Sequence, residues 1–238
     1  MEWRRGDFTV SDDPEVPMAD PRSTTPQLET YYSKRASEYE QIYEKAERQD
    51  ELEWLRRRVP ELFAGRTVLE VACGTGYWTQ FIARTAKKVY ACDINDAVLE
   101  IAREKPIARG LVEFFKADAV TLENVPAGCD AAFAGFWWSH VKKSGIEQFV
   151  ANLATRLAPG ARVVILDNRF VGSSSTPISR RDAEGNTYQK RKILTGEEYE
   201  VLKNFPAADE LRAAVANVAR EAHLESLMYY WLLVFTLK

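Results

Sequence analysis

Histidine and cysteine are scarce in this 238-residue chain, which has two of the first and three of the second. Cys73, Cys92 and Cys129 are odd in number and include no CxxC pair. That is poor material for a disulfide scaffold or a zinc cluster, and the expectation is buried, reduced thiols. Long apolar runs are missing too. No stretch approaches the ~20 residues that cross a bilayer. The opening MEWRRGDFTVSDDPEVP lacks the apolar core of a secretory signal, so a cytoplasmic protein without a membrane partner is expected. Excess positive charge is absent as well: 32 Lys plus Arg against 35 Asp plus Glu leave a net charge of −3. Phosphate backbones call for a basic field, so a nucleic-acid partner is not expected.

What is present suits one soluble globular domain: 46% hydrophobic and 28% charged residues. Residues 1–26 are rich in Asp, Pro, Ser and Thr without periodicity and read as a mobile arm, with the domain running over 27–238. Tyr32, Tyr39, Ile42 and Tyr43 fall at helical spacing, so 27–64 is expected as a helical cap, one long helix or two broken ones, ending near Pro60. Then strands and helices alternate. Strands are expected at TVLEVA, 88–94, 111–119, 129–138 and 161–168. Helices are expected at 77–86, 95–105 and 144–158, the last stopped by Pro159–Gly160. This rhythm predicts a doubly wound α/β sheet, mostly parallel. Residues 171–204 break it and read as an inserted β-hairpin or lid. A helix is expected over 207–222, and LESLMYYWLLVFTLK closes the chain as one bent strand or two short ones.

The first strand ends in Glu70-Val-Ala-Cys-Gly74-Thr-Gly76, a pattern E-x-x-x-G-x-G at a strand-to-helix turn. Glycines there let a ligand approach the backbone, and the loop amides can donate to it. A dinucleotide fingerprint needs a third glycine three residues on, where Thr79 stands, and no phosphate-loop Lys-Ser/Thr follows. Asp93 ends the second strand, where an acid can accept both ribose hydroxyls. Asp118 follows the third, where it can accept from an adenine amine while Ala119 offers its N–H. Together these features describe an adenosine pocket without a phosphate site.

VLEVACGTG (68–76), VYACDIN (89–95), FFKADA (114–119), CDAAFAGFWW (129–138) and LAPGARVVILDN (157–168) resemble, as a set, the class I S-adenosylmethionine-dependent methyltransferases. The resemblance implies a Rossmann-like sheet of seven strands whose last runs antiparallel. It also implies S-adenosylmethionine as methyl donor and S-adenosylhomocysteine as product. Position by position, it places Ala72, Gly74 and Gly76 against the methionine and ribose portions. Glu70 orients that turn, and either reaches the donor's amino group through water or only bonds loop amides. Asp93 takes the ribose, with Ile94 against the adenine, and Asp118 with Ala119 reads its edge. Phe136 lines the cleft with Trp137. In the cap, Tyr32 and Arg35 close over the ligand, Arg35 by pairing with its carboxylate.

Each residue has a plainer alternative. Tyrosines 31, 32, 39 and 43 at helical spacing are ordinary core material. About half are expected in the core, with Tyr32 chosen for the site and Tyr31 and Tyr39 as outside candidates. His140 follows FWWS and is either a base for the acceptor's proton or a hydrogen-bonded loop residue. His223 is expected on the surface. Trp78, Trp137 and Trp138 are candidates to exclude water. Asp167, Asn168 and Arg169 are expected to shape the acceptor pocket. Catechol-type members bind magnesium through an Asp-Asn pair there, but they add an Asp where this chain has AGFWW, so no metal is expected. The basic stretches RRDAEG and YQKRK read as a solvated hairpin face, or as an attraction for an anionic substrate.

The expected activity is methyl transfer to N or O of an enclosed small molecule, by a monomer or a homodimer. The Asn/Asp-Pro-Pro-aromatic motif of nucleic-acid amino methyltransferases is missing. The alternatives are a catalytically inactive S-adenosylmethionine-binding module or subunit, and an oxidoreductase, which the missing third glycine disfavours.

Overall fold

The computed structural model describes residues 26–238, with side chains from Thr30 onward, so the expected arm lies, but for Pro26, outside the described residues. The cap is a broken helix: α1 (Pro26–Lys34), 3-10 turns over Ala36–Tyr43 and Ala46–Arg48, then α2 (Gln49–Glu61). Leu52, Leu55 and Val59 are the buried stripe of α2, at the spacing of one helical face. The strands β1 (Thr67–Val71), β2 (Lys88–Asp93), β3 (Val112–Lys116), β4 (Cys129–Gly135) and β5 (Leu157–Asn168) are joined through α3 (Thr79–Ile82), α4 (Asp96–Arg103) and α5 (Ile146–Thr155). After an insertion come α6 (Ala208–Val215), β9 (Ala219–Ser226) and β10 (Tyr230–Leu237).

The seven strands lie in the order β3-β2-β1-β4-β5-β10-β9. The first five pair in parallel, and β10 runs antiparallel to both β5 and β9. Consecutive strand residues serve opposite faces. Leu69, Ala132, Val163 and Ile165 enter one apolar cluster with Phe149 and Leu153 of α5. Val68, Ala131, Phe133, Val164 and Leu166 enter the other with Leu52 and Leu55 of α2. Both faces are covered, as a parallel sheet requires. Strand order reverses between β1 and β4, so their connections leave in opposite directions and open a crevice at the strand carboxyl ends. All three cysteines are free and buried.

Three boundaries differ from the sequence expectation. Pro159–Gly160 does not stop α5, which ends at Thr155. The pair sits inside β5, where the register shifts opposite Cys129 and Ala131 and Gly160 takes φ +73°. The helix expected over 77–86 is only α3, because the chain after Ile82 tightens into 3-10 turns, with Thr85 bonded to the carbonyl of Pro60 (2.6 Å). The helix expected to reach 222 ends at Val215. Ala219–Ser226 instead pairs along β10, long-range pairing overriding the local helix preference of an alanine-rich run. The closing segment is therefore two strands, and His223 is exposed on the outer one.

The insertion is a three-stranded antiparallel sheet of β6 (Arg180–Arg181), β7 (Thr187–Lys192) and β8 (Glu198–Leu202). Its hairpin turns at Leu194–Gly196, as the Leu-Thr-Gly signal indicates.

Phe133, fully buried at the centre of β4, meets the rings of Phe63 (5.9 Å) and Trp78 (6.2 Å). Phe133→Ala is expected to lower the urea-unfolding free energy by ~3–5 kcal/mol. A loss below about 1 kcal/mol would show that this layer of the sheet does not carry the core.

Candidate functional site

A cavity of about 650 Å³ opens over the carboxyl ends of β1, β2 and β4. Its floor comes from the turn after β1, with Ala72 and Gly74, and from Gly135, Phe136 and Trp137 at the end of β4. Asp93, Ile94, Asn95 and Val98 form the β2 side, and Asp118 with Ala119 the β3 side. Tyr32, Tyr39 and His140 complete the wall.

Asp93 ties these parts together. One carboxylate oxygen accepts the Gly74 N–H (2.9 Å) and the other the Asn95 N–H (3.0 Å), fixing the glycine turn against β2. Asn95 then caps α4 by accepting from the Ala97 N–H (3.0 Å). Asp118 holds its own turn through the Val120 N–H (2.7 Å). Ala72 (φ +52°) and Phe136 (φ +60°) both sit in the left-handed region although neither is glycine. Such conformations cost on the order of 1 kcal/mol or more and persist where the surroundings impose them. Both lie on the cavity floor.

A second cavity of about 1330 Å³ adjoins the first. Tyr32, Tyr39, Phe136 and His140 line both. The larger one is lined by seven basic residues and no acidic one: Arg35, Lys45, Arg48, Lys203 and the run Lys190–Lys192 of β7, in which Lys190 and Lys192 are exposed on the face opposite Arg191. Asn168 and the serines of the 174–175 loop lie among them.

A buried polar network joins this cavity to the sheet. Asp167, fully buried, accepts from the Ser139 N–H (2.9 Å) and from Lys203 Nζ (3.1 Å). Lys203 Nζ also donates to the Ser139 hydroxyl (2.5 Å). His140 is buried beside them. Its Nδ1 lies 2.7 Å from the Leu202 carbonyl, which can only accept, so the proton is on Nδ1. Nε2 is left to accept from the Tyr32 hydroxyl at 2.8 Å. Burial, then the charges of Lys203 and Arg191, hold the imidazole well below its ordinary pKa, so it is neutral. Burial likewise brings Lys203 down to about 8, against the pull of Asp167. It raises the Tyr32 hydroxyl far above its usual range.

Several expected residues lie elsewhere. Gly76 (φ +75°) faces α4 rather than the cavity, where a Cβ would come within 3.1 Å of Ala102 Cβ. Trp138 is in the core against Trp231, and Trp78 is buried under the floor, so neither faces a ligand. Asp167 anchors the network instead of lining the acceptor pocket. Arg169 turns outward to the Leu227 carbonyl. Asn168 does line the larger cavity and accepts from Arg48 (3.1 Å). Arg35 lines it too, donating to the Tyr31 hydroxyl (2.7 Å). Of the four tyrosines, Tyr31 and Tyr43 are buried and border only the larger cavity, while Tyr32 and Tyr39 line both. Sequence reading missed Asn95, Val98, Gly135, Arg48 and Lys203. Gly135 alone left a signal, a glycine inside a buried strand.

Comparison with known proteins places the chain among methyltransferases in sequence and fold. Residues 68–160 match the family model described as a methyltransferase domain. A demethylmenaquinone methyltransferase of Clavibacter sepedonicus is 30% identical over 120 residues, 50% of this chain and 46% of that protein. The chain thus spans less than half the length of that relative. A demethylmenaquinone methyltransferase of Staphylococcus aureus (strain MRSA252) is 24% identical over 214 residues, 82% of this chain and 85% of the other. Among solved structures, the DhpI–SAH complex superposes with a TM-score of 0.68 at 24% identity, over 88% of this chain and 94% of that one. The DhpI–SAM–HEP complex gives 0.71 at 22% identity, over 88% and 95%.

Glu70, at the end of β1, is 2% exposed, and its Oε2 finds no hydrogen-bond partner among the described residues. Burial, reinforced by Asp93, pushes this carboxyl up to about 8 from the usual 4.5. Between those values the folded chain keeps a proton that the unfolded chain has released, so stability is lost as pH rises through the window. Glu70→Gln is expected to flatten the decline in urea-unfolding free energy between about pH 5 and about pH 8. Identical slopes for the two proteins would mean that Glu70 is ionised in the fold.

Proposed function

The chain carries a methyltransferase domain of the class I, S-adenosylmethionine-dependent type, and from that premise we propose that it transfers a methyl group to a nitrogen or oxygen of a small-molecule acceptor by in-line displacement. The observation that carries this reading is the pair of adjoining cavities. The smaller one has the donor set of an adenosine site, and it meets a polar chamber across Tyr32, Tyr39, Phe136 and His140.

The residues of the smaller cavity fit the donor. Asp93 and Asp118 offer carboxylates at successive strand ends, and Ile94, Val98 and Ala119 offer apolar surface for a purine between them. Gly74, at φ +55°, has no side chain to close the approach to the turn. When bound, S-adenosylmethionine supplies a methyl group already activated on a sulfonium sulfur. The chain then has three tasks. Asp93 takes the ribose hydroxyls, while Asp118 and the Ala119 N–H take the adenine edge. Arg35 pairs with the donor's carboxylate. The aromatic boundary excludes water and aligns the reacting groups, which is the main source of acceleration in such a transfer. Where the acceptor must lose a proton, His140 Nε2 receives it, directly or through the Tyr32 hydroxyl it already holds.

Calorimetric titration with S-adenosylhomocysteine is expected to show micromolar binding that Asp93→Ala abolishes, with NADH binding weakly or not at all. Tight NADH binding would point to an oxidoreductase instead. His140→Ala is expected to lower turnover of labelled methyl transfer at least about tenfold with S-adenosylhomocysteine affinity unchanged. Unaltered turnover would remove His140 as the base and leave it a hydrogen-bonded wall residue.

A further inference from the structure

We propose that the methyl acceptor is an anion, a carboxylate or phosphate compound, held in the larger cavity chiefly by Arg191 with Arg48 and Lys45. The inference rests on the reading of the smaller cavity as the donor site. It follows from a charge imbalance that the fold builds deliberately. A chain of net charge −3 lines one chamber with seven basic residues and no acidic one. Only two of the seven pair with carboxylates among the described residues, Lys203 with Asp167 and Lys190 with Glu198. Arg35 suffices for the single carboxylate of the donor. Lys45, Arg48 and Arg191 remain for something else.

Arg48 is withdrawn from solvent and Arg191 half-buried, whereas Lys45 is exposed at the rim. Arg48 is buried, held by the Ser174 hydroxyl (2.9 Å) and by Asn168, and stacked near the rings of Tyr229 (5.1 Å) and Tyr230 (5.6 Å). Glu47, whose carboxylate feels the charges of both Arg48 and Lys45, already accepts from the Ser174 hydroxyl (2.6 Å). Arg191 donates through Nη2 to Gln189 (2.7 Å), while its buried Nε has no hydrogen-bond partner among the described residues. Its charge is felt across the chamber: it lowers the pKa of His140, Lys203 and Lys45. Holding Arg48 and Arg191 away from bulk water costs free energy, and a bound anion offsets it through charge-assisted, forked hydrogen bonds. An uncharged quinone ring would leave that cost in place.

The test uses the full chain saturated with S-adenosylhomocysteine and titrated with inorganic phosphate and, separately, malonate. One or both are expected to bind with a Kd of about 1 mM or tighter, more weakly as salt rises. Phosphate alone would indicate a phosphate-bearing acceptor and malonate alone a carboxylic acid. Arg191→Gln is expected to weaken binding at least about tenfold, with Arg191→Lys retaining part of it. Lys45→Gln serves as a second variant if Arg191→Gln does not fold. Failure of both anions to bind, or binding indifferent to both substitutions, overturns the proposal. The donor reading fails separately: it is lost if the chain takes up anions but no S-adenosylhomocysteine.

Discussion

The seat of the insertion over the larger cavity depends on one buried carboxylate. Asp167 ends β5, fully enclosed, and accepts from Lys203 and from the backbone of the turn after β4. Lys203 belongs to the insertion, so the contact fastens an accessory sheet to the end of a central strand. Neighbouring bonds run in the same sense. The Asn204 N–H donates to the Ser139 carbonyl (2.8 Å), its side chain donates to the Val141 carbonyl (3.0 Å), and the Leu202 carbonyl receives His140. A buried ion pair gives little net stability, because desolvation offsets most of the attraction. What it does give is register: a single way for the insertion to sit. Removing either partner would leave the other charged and unpaired in the interior.

That anchoring explains why His140 is neutral and still within reach of a ligand. The insertion covers the ring and fixes its tautomer through a carbonyl. The same insertion brings Arg191 and Lys203 near enough to disfavour protonation. On the other side, the cap contributes the Tyr32 hydroxyl. The imidazole is thus set by two segments distant from it in sequence, one before and one after, and its chemistry belongs to their meeting.

Legibility in the sequence follows the same division. The donor-side features sit at strand ends, where a turn residue, an acid and a hydrophobic run fall within a few positions of each other. Gly74, Asp93 and Asp118 could be read locally, and the sheet order follows from alternating strands and helices. The acceptor side has no such local grammar. Arg35, Lys45, Arg48, Arg191 and Lys203 come from segments far apart, and only the insertion's docking gathers them. Asp167 was read for its neighbour Asn168 and for its place at a strand end, whereas its partner was an unremarked lysine beyond a hairpin. Gly76 shows the reverse limit: a motif glycine can serve helix packing, and only the contact with Ala102 tells the difference. Pro159–Gly160 and the alanine-rich run before β9 carried the wrong local signal, because strand pairing with distant residues outweighed it.

Tyr32, Tyr39, Phe136 and His140 line both cavities, so the two share a wall. A molecule in one cavity therefore becomes part of the wall of the other. Two ligands so placed cannot have independent affinities. Whatever the first contributes to the second's binding free energy, favourable or not, the second returns to the first in equal measure. Occupancy of this protein is thus a property of the pair, and a dissociation constant measured for either partner alone describes a different surface from the one it meets during turnover.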